Sequence, residues 1–273
     1  MDKTKYLFSY WKKIKELLRG KLICLALDFD GTLVPIARTP DKAVMPKKTK
    51  DLLRRLSKKT NCRIAIISGR TLKDILKRVG LRNIIYVGNH GFEIKGPKIT
   101  FKSPISVRYR KILEEIKNRL NDSLSSVEGV LIEDKEFSLS LHYRLVDKKS
   151  VSKVKTEFYA ALLSHQLKND VRVKPGKMVL EVVPPVAWNK GKVVLWLLEQ
   201  RIFTMPNKKK KVFPVYIGDD VTDEDAFESL KNKGLTIFVG KPYNTKARFY
   251  LNDTKEVTMF LTKVLKNLDI GAT

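Results

Sequence analysis

Cysteine is scarce in this chain: Cys24 and Cys62 are the only two in 273 residues. Both sit inside apolar runs (LICLAL and CRIAII), so a disulfide-stapled scaffold is excluded and a reducing, cytoplasmic setting fits. Long hydrophobic runs are missing too, since none approaches the ~18 uninterrupted apolar residues that a membrane span requires. The first twenty residues lack the apolar centre and small-residue cleavage site of a secretory signal. No zinc-ligand spacing, RNA-binding aromatic signature or basic-zipper heptad occurs. Acidic residues are the remaining shortage: 29 Asp+Glu stand against 55 Lys+Arg, a formal net charge of +26.

What is present is enough apolar material, 43% of the residues, to bury a core in two domains. The basic excess consists of 40 Lys and only 15 Arg. Base-reading and bidentate phosphate sites favour Arg, so the composition fits a soluble surface with a general attraction for anions. A nucleic-acid or anionic-polymer binder is the non-enzyme alternative, and no specific nucleic-acid partner is expected. Tyr6, Leu7, Tyr10, Trp11, Ile14, Leu17 and Leu18 recur at helical spacing. They predict an amphipathic helix within 1–20, closed by Gly20 and packed on its own domain. Lysines 208–211 form a low-complexity run, a weak match to a nuclear-localisation signal and read as a solvated loop.

Apolar, β-branched runs at 22–27, 63–67, 84–87, 213–217 and 235–239 read as strands buried on both faces. Helical patterns at 47–59, 71–79, 190–201, 223–232 and 254–267 separate them. This alternation predicts an α/β fold, a doubly wound, Rossmann-like parallel sheet over 21–101 and 185–273. Between 102 and 184 the order changes to helix, two strands, helix, two strands, which predicts an inserted, smaller α+β cap domain. Phe137, Leu139 and Leu141 alternate with Ser138, Ser140 and His142, the period of a sheet with one wet face.

The chemistry concentrates at strand ends. Asp28-Phe29-Asp30-Gly31-Thr32 closes the first strand, where alternate residues would let both carboxylates face one point. Ligands of open α/β sheets bind beyond the carboxyl ends of the strands. Six acidic residues fall between 219 and 228, beginning Asp219-Asp220. Carboxylates crowded at a strand end repel unless a cation neutralises them, and hard oxygen ligands point to Mg²⁺. Asp219 is the first choice of ligand, Asp220 and Asp223 the second, with Thr222 a candidate cap for the next helix. Ser68-Gly69-Arg70 offers a hydroxyl and backbone N–H groups as an anion cradle, and Lys190 opens a helix from which an ammonium can meet a phosphoryl oxygen.

DFDGT, a strand-end Ser, a helix-start Lys and a GDD cluster, in this order, resemble the four motifs of the haloacid dehalogenase superfamily. More narrowly, LDFDGTLVPI, ISGR, GNHGFE, K-x-x-S-x-x-x-HYR, GKMVLE, WNKG and GDDVTDEDAF are similar to the trehalose-6-phosphate phosphatase family, from about 26 to 261. The resemblance implies a Mg²⁺-dependent monoesterase. Asp28 would be the nucleophile that forms an aspartyl-phosphate, Asp30 the acid and base, and Ser68 and Lys190 the phosphoryl holders. Asp28, the Asp30 backbone, Asp219 and Asp220 would be candidate metal ligands, with Thr32 and Asp223 behind them. Phe29, Gly69, Arg70, Asn89, His90 and Gly91 would lie on the substrate side of the core. Glu133, Lys135, His142, Arg144, Lys177 and Glu181 would read the sugar from the cap. Sucrose 6-phosphate and mannosyl-3-phosphoglycerate are the alternative substrates. The synthase domain fused in some relatives is not expected, which leaves a separate synthase as a possible partner.

Overall fold

The computed structural model describes residues 4–186, 188–200 and 212–270; the lysine run at 208–211 lies outside them. In chain order the elements are β1 (Lys5–Tyr6), α1 (Trp11–Leu18), β2 (Leu22–Leu27), α2 (Lys47–Leu56), β3 (Cys62–Ile67), α3 (Leu72–Val79), β4 (Ile85–Gly88), β5 (Glu93–Gly96) and β6 (Ile99–Lys102). Then come α4 (Val107–Leu124), β7 (Leu131–Asp134), β8 (Leu139–His142), α5 (Val151–Leu167), β9 (Arg172–Gly176) and β10 (Val179–Val183). The chain continues with α6 (Lys190–Glu199), β11 (Val212–Gly218), α7 (Glu224–Leu230), β12 (Leu235–Val239), β13 (Phe249–Leu251) and α8 (Thr254–Ile270).

Two compact units emerge, one made of Met1–Ala37, Ala43–Phe101 and Trp188–Thr273, the other of Arg38–Lys42 and Lys102–Ala187. The first is built on a nine-stranded sheet in the order β1-β13-β12-β11-β2-β3-β4-β5-β6. Pairing is parallel from β1 to β4 and turns antiparallel between β4 and β5. Every residue of β2 is buried, which is why its sequence is a continuous apolar run rather than an alternating one. Its two faces feed separate clusters. Ile23, Leu25 and Leu27 pack with Cys62 and residues of α1, α2 and α8, whereas Cys24 and Ala26 pack with α6 and α7.

The helices start where their caps say they should. Thr71 Oγ1 accepts from Asp74 N at 3.2 Å to open α3, and Asn189 Oδ1 accepts from Lys192 N at 2.9 Å to open α6. Gly80, at φ +60°, closes α3 in the left-handed region. The amino terminus departs from a single helix. Lys5 and Tyr6 instead add an edge strand beside β13, a 3₁₀ turn follows, and only then does α1 begin. Pairing of Tyr6 with Tyr250, and its hydroxyl donating to Glu256 at 2.8 Å, outweigh the helical periodicity. Leu7, Ile14 and Leu18 are buried in the core cluster. Strands β5, β6 and β13 are further additions, each too short to have announced itself, and β5 and β6 are partly exposed as well.

The second unit is a four-stranded antiparallel sheet in the order β7-β8-β10-β9, with α4 and α5 against its apolar face. Leu139, Leu141, Leu180 and Val182 line that face. The opposite face is polar but not wet: Ser138 and Ser140 are 2% and 0% exposed, because Glu181 draws both hydroxyls into one hydrogen-bonded cluster.

Candidate active site

The carboxyl ends of β2, β3 and β11 carry the reactive groups. Asp28 follows β2 and is fixed by its N–H donating to Ile217 O of the neighbouring β11 at 2.9 Å. Gly31, at φ +84°, turns the chain immediately afterwards; a Cβ there would stand 2.1 Å from Asp219 Oδ2. Only glycine therefore lets this loop and Asp219 approach so closely. Thr32, fully buried, directs its hydroxyl toward Asp219 at 3.5 Å.

One carboxylate oxygen from each of Asp28, Asp219 and Asp223 falls within a 4.8 Å cluster. Lys190 reaches this group from the first turn of α6, donating to Asp28 Oδ1 at 2.8 Å and to Asp223 Oδ1 at 2.7 Å. Three buried carboxylates and one ammonium leave the cluster short of positive charge. Burial pushes the Asp28 carboxyl up; Lys190 opposes this, and Asp223 and Asp219 push it further. Burial works against the Lys190 ammonium too, but Asp223 and Asp28 outweigh it and hold the group well above its usual range. An all-oxygen set with a charge deficit fits a divalent hard cation.

Within the triad the roles differ. Asp223 is already saturated: Oδ1 accepts from Lys190 and from Tyr216 Oη, both at 2.7 Å, and Oδ2 accepts from the N–H groups of Asp219 and Asp220, both at 3.0 Å. Burial and then Asp223 push the Tyr216 phenol well above its usual range, so it donates as a neutral hydroxyl. With four donors on two oxygens, Asp223 suits orientation rather than metal ligation. Asp220 lies outside the triad. It is the N-cap of the turn before α7, in a capping box with Asp223, and so takes the place foreseen for Thr222.

Asp30 follows the end of β2 and is not one of the clustered carboxylates of Asp28, Asp219 and Asp223. Its carboxylate is bound by Arg70 instead, Nε to Oδ2 at 2.6 Å and Nη2 to Oδ1 at 2.7 Å. Arg70 also donates through Nη1 to Asp74 Oδ2 at 2.7 Å. Burial opposes the guanidinium charge, and the bonds to Asp30 and Asp74 more than restore it. Neither Asp74 nor Tyr216 was a sequence candidate. Asp74 stands in the first turn of α3, and Tyr216 lies inside the apolar run 213–217.

Ser68 caps β3 and its Oγ accepts from Arg70 N at 3.1 Å. The GNHG segment docks against it: His90 N donates to Ser68 O at 3.0 Å and Asn89 N to Arg70 O at 2.7 Å. Gly69 has no room for a side chain, since a Cβ would lie 2.6 Å from the His90 ring, and Gly91 is closed off by Val193 and Trp188. Phe29, expected on the substrate side, has its side chain buried in the core cluster, with its ring 5.5 Å from the Arg70 guanidinium carbon.

In the second unit, Lys135 donates to Glu181 Oε1 at 3.1 Å, beside Ser138 at 2.8 Å and Ser140 at 3.2 Å. His142 Nε2 stands 2.9 Å from Glu133 Oε2, itself 3.9 Å from Lys135 Nζ. Glu133, Lys135, His142 and Glu181 thus form one network on the polar face of the sheet, and sequence reasoning missed the two serines that complete it. Arg144 sits apart from this network, its guanidinium on the Lys177 carbonyl at 2.5 Å.

These observations agree with what the chain is similar to. The profile of the trehalose-phosphatase family matches residues 26–255. "Trehalose 6-phosphate phosphatase RA3" of Zea mays is 33% identical over 97% of this chain and 75% of its own length. "Probable trehalose-phosphate phosphatase I" of Arabidopsis thaliana is 36% identical over 94% of this chain and 71% of its own. Among solved structures, the C-terminal domain of C. albicans trehalose-6-phosphate phosphatase superposes with a TM-score of 0.82 at 25% identity, covering 97% of this chain and 99% of that one. The haloacid dehalogenase-like hydrolase from Bacteroides thetaiotaomicron shares the fold, with a TM-score of 0.61 at 16% identity. The chain is a phosphatase and belongs to the trehalose-phosphatase family.

Proposed function

We propose that the chain hydrolyses trehalose 6-phosphate to trehalose and phosphate through an aspartyl-phosphate on Asp28, with Mg²⁺ as cofactor. The observation that carries this reading is the buried pairing of Asp28 with Lys190, next to Asp219 and Asp223. An Asp28 oxygen attacks phosphorus while the phosphorus–sugar-oxygen bond breaks, and the Asp30 carboxyl gives its proton to the departing oxygen. Water then attacks phosphorus, its proton passes to the Asp30 carboxylate, and Asp28 is released. Lys190 and the Ser68 hydroxyl hold the phosphoryl oxygens, where negative charge persists throughout. Asp28, Asp219 and the Asp30 backbone carbonyl would hold Mg²⁺. When bound, the ion supplies positive charge to the phosphoryl group.

Glu133, Lys135, His142, Arg144, Lys177 and Glu181 supply the sugar contacts in this reading, since paired acids and bases bind hydroxyls through charge-assisted hydrogen bonds. The test is phosphate release from trehalose 6-phosphate, sucrose 6-phosphate and mannosyl-3-phosphoglycerate in Mg²⁺ buffer, with Asp28→Asn as control. Trehalose 6-phosphate should give the highest kcat/KM, and Asp28→Asn should abolish turnover. No release from any of the three, or full activity in the variant, would overturn the reading.

A further inference from the structure

Arg70 makes contacts that a substrate-binding arginine has no need of. Its planar fork takes both oxygens of Asp30, at 2.6 and 2.7 Å, and so fixes the plane of that carboxylate as well as its position. Asp30 needs such fixing: its side chain is 39% exposed and it precedes Gly31, the turning point of the loop. The arginine is held in turn from several sides. Its Nη1 donates to Asp74 Oδ2 at 2.7 Å, Asp74 Oδ2 also accepts from Arg78 Nε at 2.8 Å, and Arg78 Nη1 donates to Ala43 O at 2.7 Å. The Phe29 ring lies 5.5 Å from the guanidinium carbon, and Asn89 N donates to the Arg70 carbonyl. Arg70 itself is 8% exposed.

We infer that Arg70 is the positioning residue for Asp30, a clasp that holds the proton-transferring carboxyl in place. The inference rests on the acid–base role proposed above for Asp30. A bidentate guanidinium occupies one lone pair on each carboxylate oxygen and leaves the other for proton exchange. Proton transfer falls off steeply when the acid is displaced, and a misplacement of about 1 Å costs on the order of 100-fold.

Leaving-group chemistry separates this role from a merely structural one. A sugar alkoxide needs a proton as it departs, whereas p-nitrophenolate leaves without one. Arg70→Ala and Arg70→Lys are compared with wild type on trehalose 6-phosphate and on p-nitrophenyl phosphate, with steady-state and rapid-mixing kinetics and a thermal melt of each variant. In Arg70→Ala, kcat on the sugar phosphate should fall about 10- to 100-fold with KM kept within about threefold. On the aryl ester, a burst of one nitrophenolate per site should persist, followed by slow turnover because water activation is impaired. Arg70→Lys, which can reach one oxygen, should recover part of kcat.

A KM raised tenfold or more with kcat retained would overturn the inference, because Arg70 would then be touching substrate. Equal slowing of both bond-breaking steps would also overturn it, as loss of the local fold. Asp30→Asn provides the separate control: full sugar-phosphate turnover in that variant would defeat the acid–base assignment itself.

Discussion

Lys190 Nζ lies 2.8 Å from Asp28 Oδ1, and the two side chains are 3% and 8% exposed. An ion pair so far from water is stable only while complete, because either partner alone is a buried charge without compensation. The pair also joins the first reactive strand to the helix that resumes the core after the inserted unit.

Removing the ammonium should therefore damage fold and function together. Lys190→Met is expected to lower unfolding free energy by about 3–5 kcal/mol, the usual cost of breaking a buried pair. Phosphate release should be lost as well. Urea denaturation checks the first effect. In the double variant Lys190→Met/Asp223→Asn, which removes one of the stranded charges, part of the stability should return while activity does not.

Gly31→Ala tests the approach of the loop to Asp219. The new methyl would meet the carboxylate at 2.1 Å, and φ is +84°. The substitution should cost about 1–3 kcal/mol in strain. It should also weaken Mg²⁺ binding at least tenfold, measured by isothermal titration of the metal alone. Unchanged affinity would remove Asp219 from the ligand set.

The buried thiols make stability depend on alkaline pH. Burial pushes Cys62 up to about 12 and Cys24 further still. An unfolded thiol ionises near ~8.5. The folded-state values are raised, so the thiol contribution is fully present below the unfolded value and is lost as pH rises from there toward the folded one. Each thiol should remove up to about 1.4 kcal/mol per pH unit in that window. Unfolding free energies from urea titrations at pH 8 and 10, for wild type and for Cys24→Ala/Cys62→Ala, should differ in pH slope by up to about 2.8 kcal/mol per unit, twice the single-thiol value. The thiols of the native protein should also resist alkylation until it unfolds.

Glu181→Gln should separate sugar recognition from chemistry. The carboxylate collects Lys135, Ser138 and Ser140, and the near-buried Lys135 would lose the carboxylate that stands 3.1 Å from its ammonium. Loss of about 1–3 kcal/mol is expected from the impaired polar cluster. KM for the sugar phosphate should rise about tenfold with kcat kept within about threefold, read from initial rates.

The parts of this molecule legible in its sequence are those fixed by strand position. Asp28, Ser68 and Asp219 each follow a continuous apolar run, and Lys190 follows the cap Asn189, so neighbouring residues define their places. What was not legible depends on partners far along the chain. Nothing around Tyr216 announces that its hydroxyl ends on Asp223, and nothing around Arg70 announces Asp30, forty positions earlier. Alternation along β2 does not place Asp30, because the strand ends at Leu27 and Arg70 holds the carboxylate. The serines at 138 and 140 looked wet for a related reason: alternation reports polarity, whereas burial depends on what the neighbouring strand brings, here Glu181. The edge strand at Lys5–Tyr6 is too short to have a period at all.

The pairing of β2 with β11 sets the order in which this enzyme can assemble. Leu25 aligns with Val215, so the middle of the large sheet closes only after the chain has made the whole inserted unit and returned. Such a long closure is entropically costly and kinetically slow. A ribosome-bound chain ending before Val212 has Asp28 and Ser68 but no neighbour for β2 on that side, and neither Asp219 nor Asp223. The cluster of Asp28, Asp219 and Asp223 is thus complete only once β11 has been made and has paired with β2.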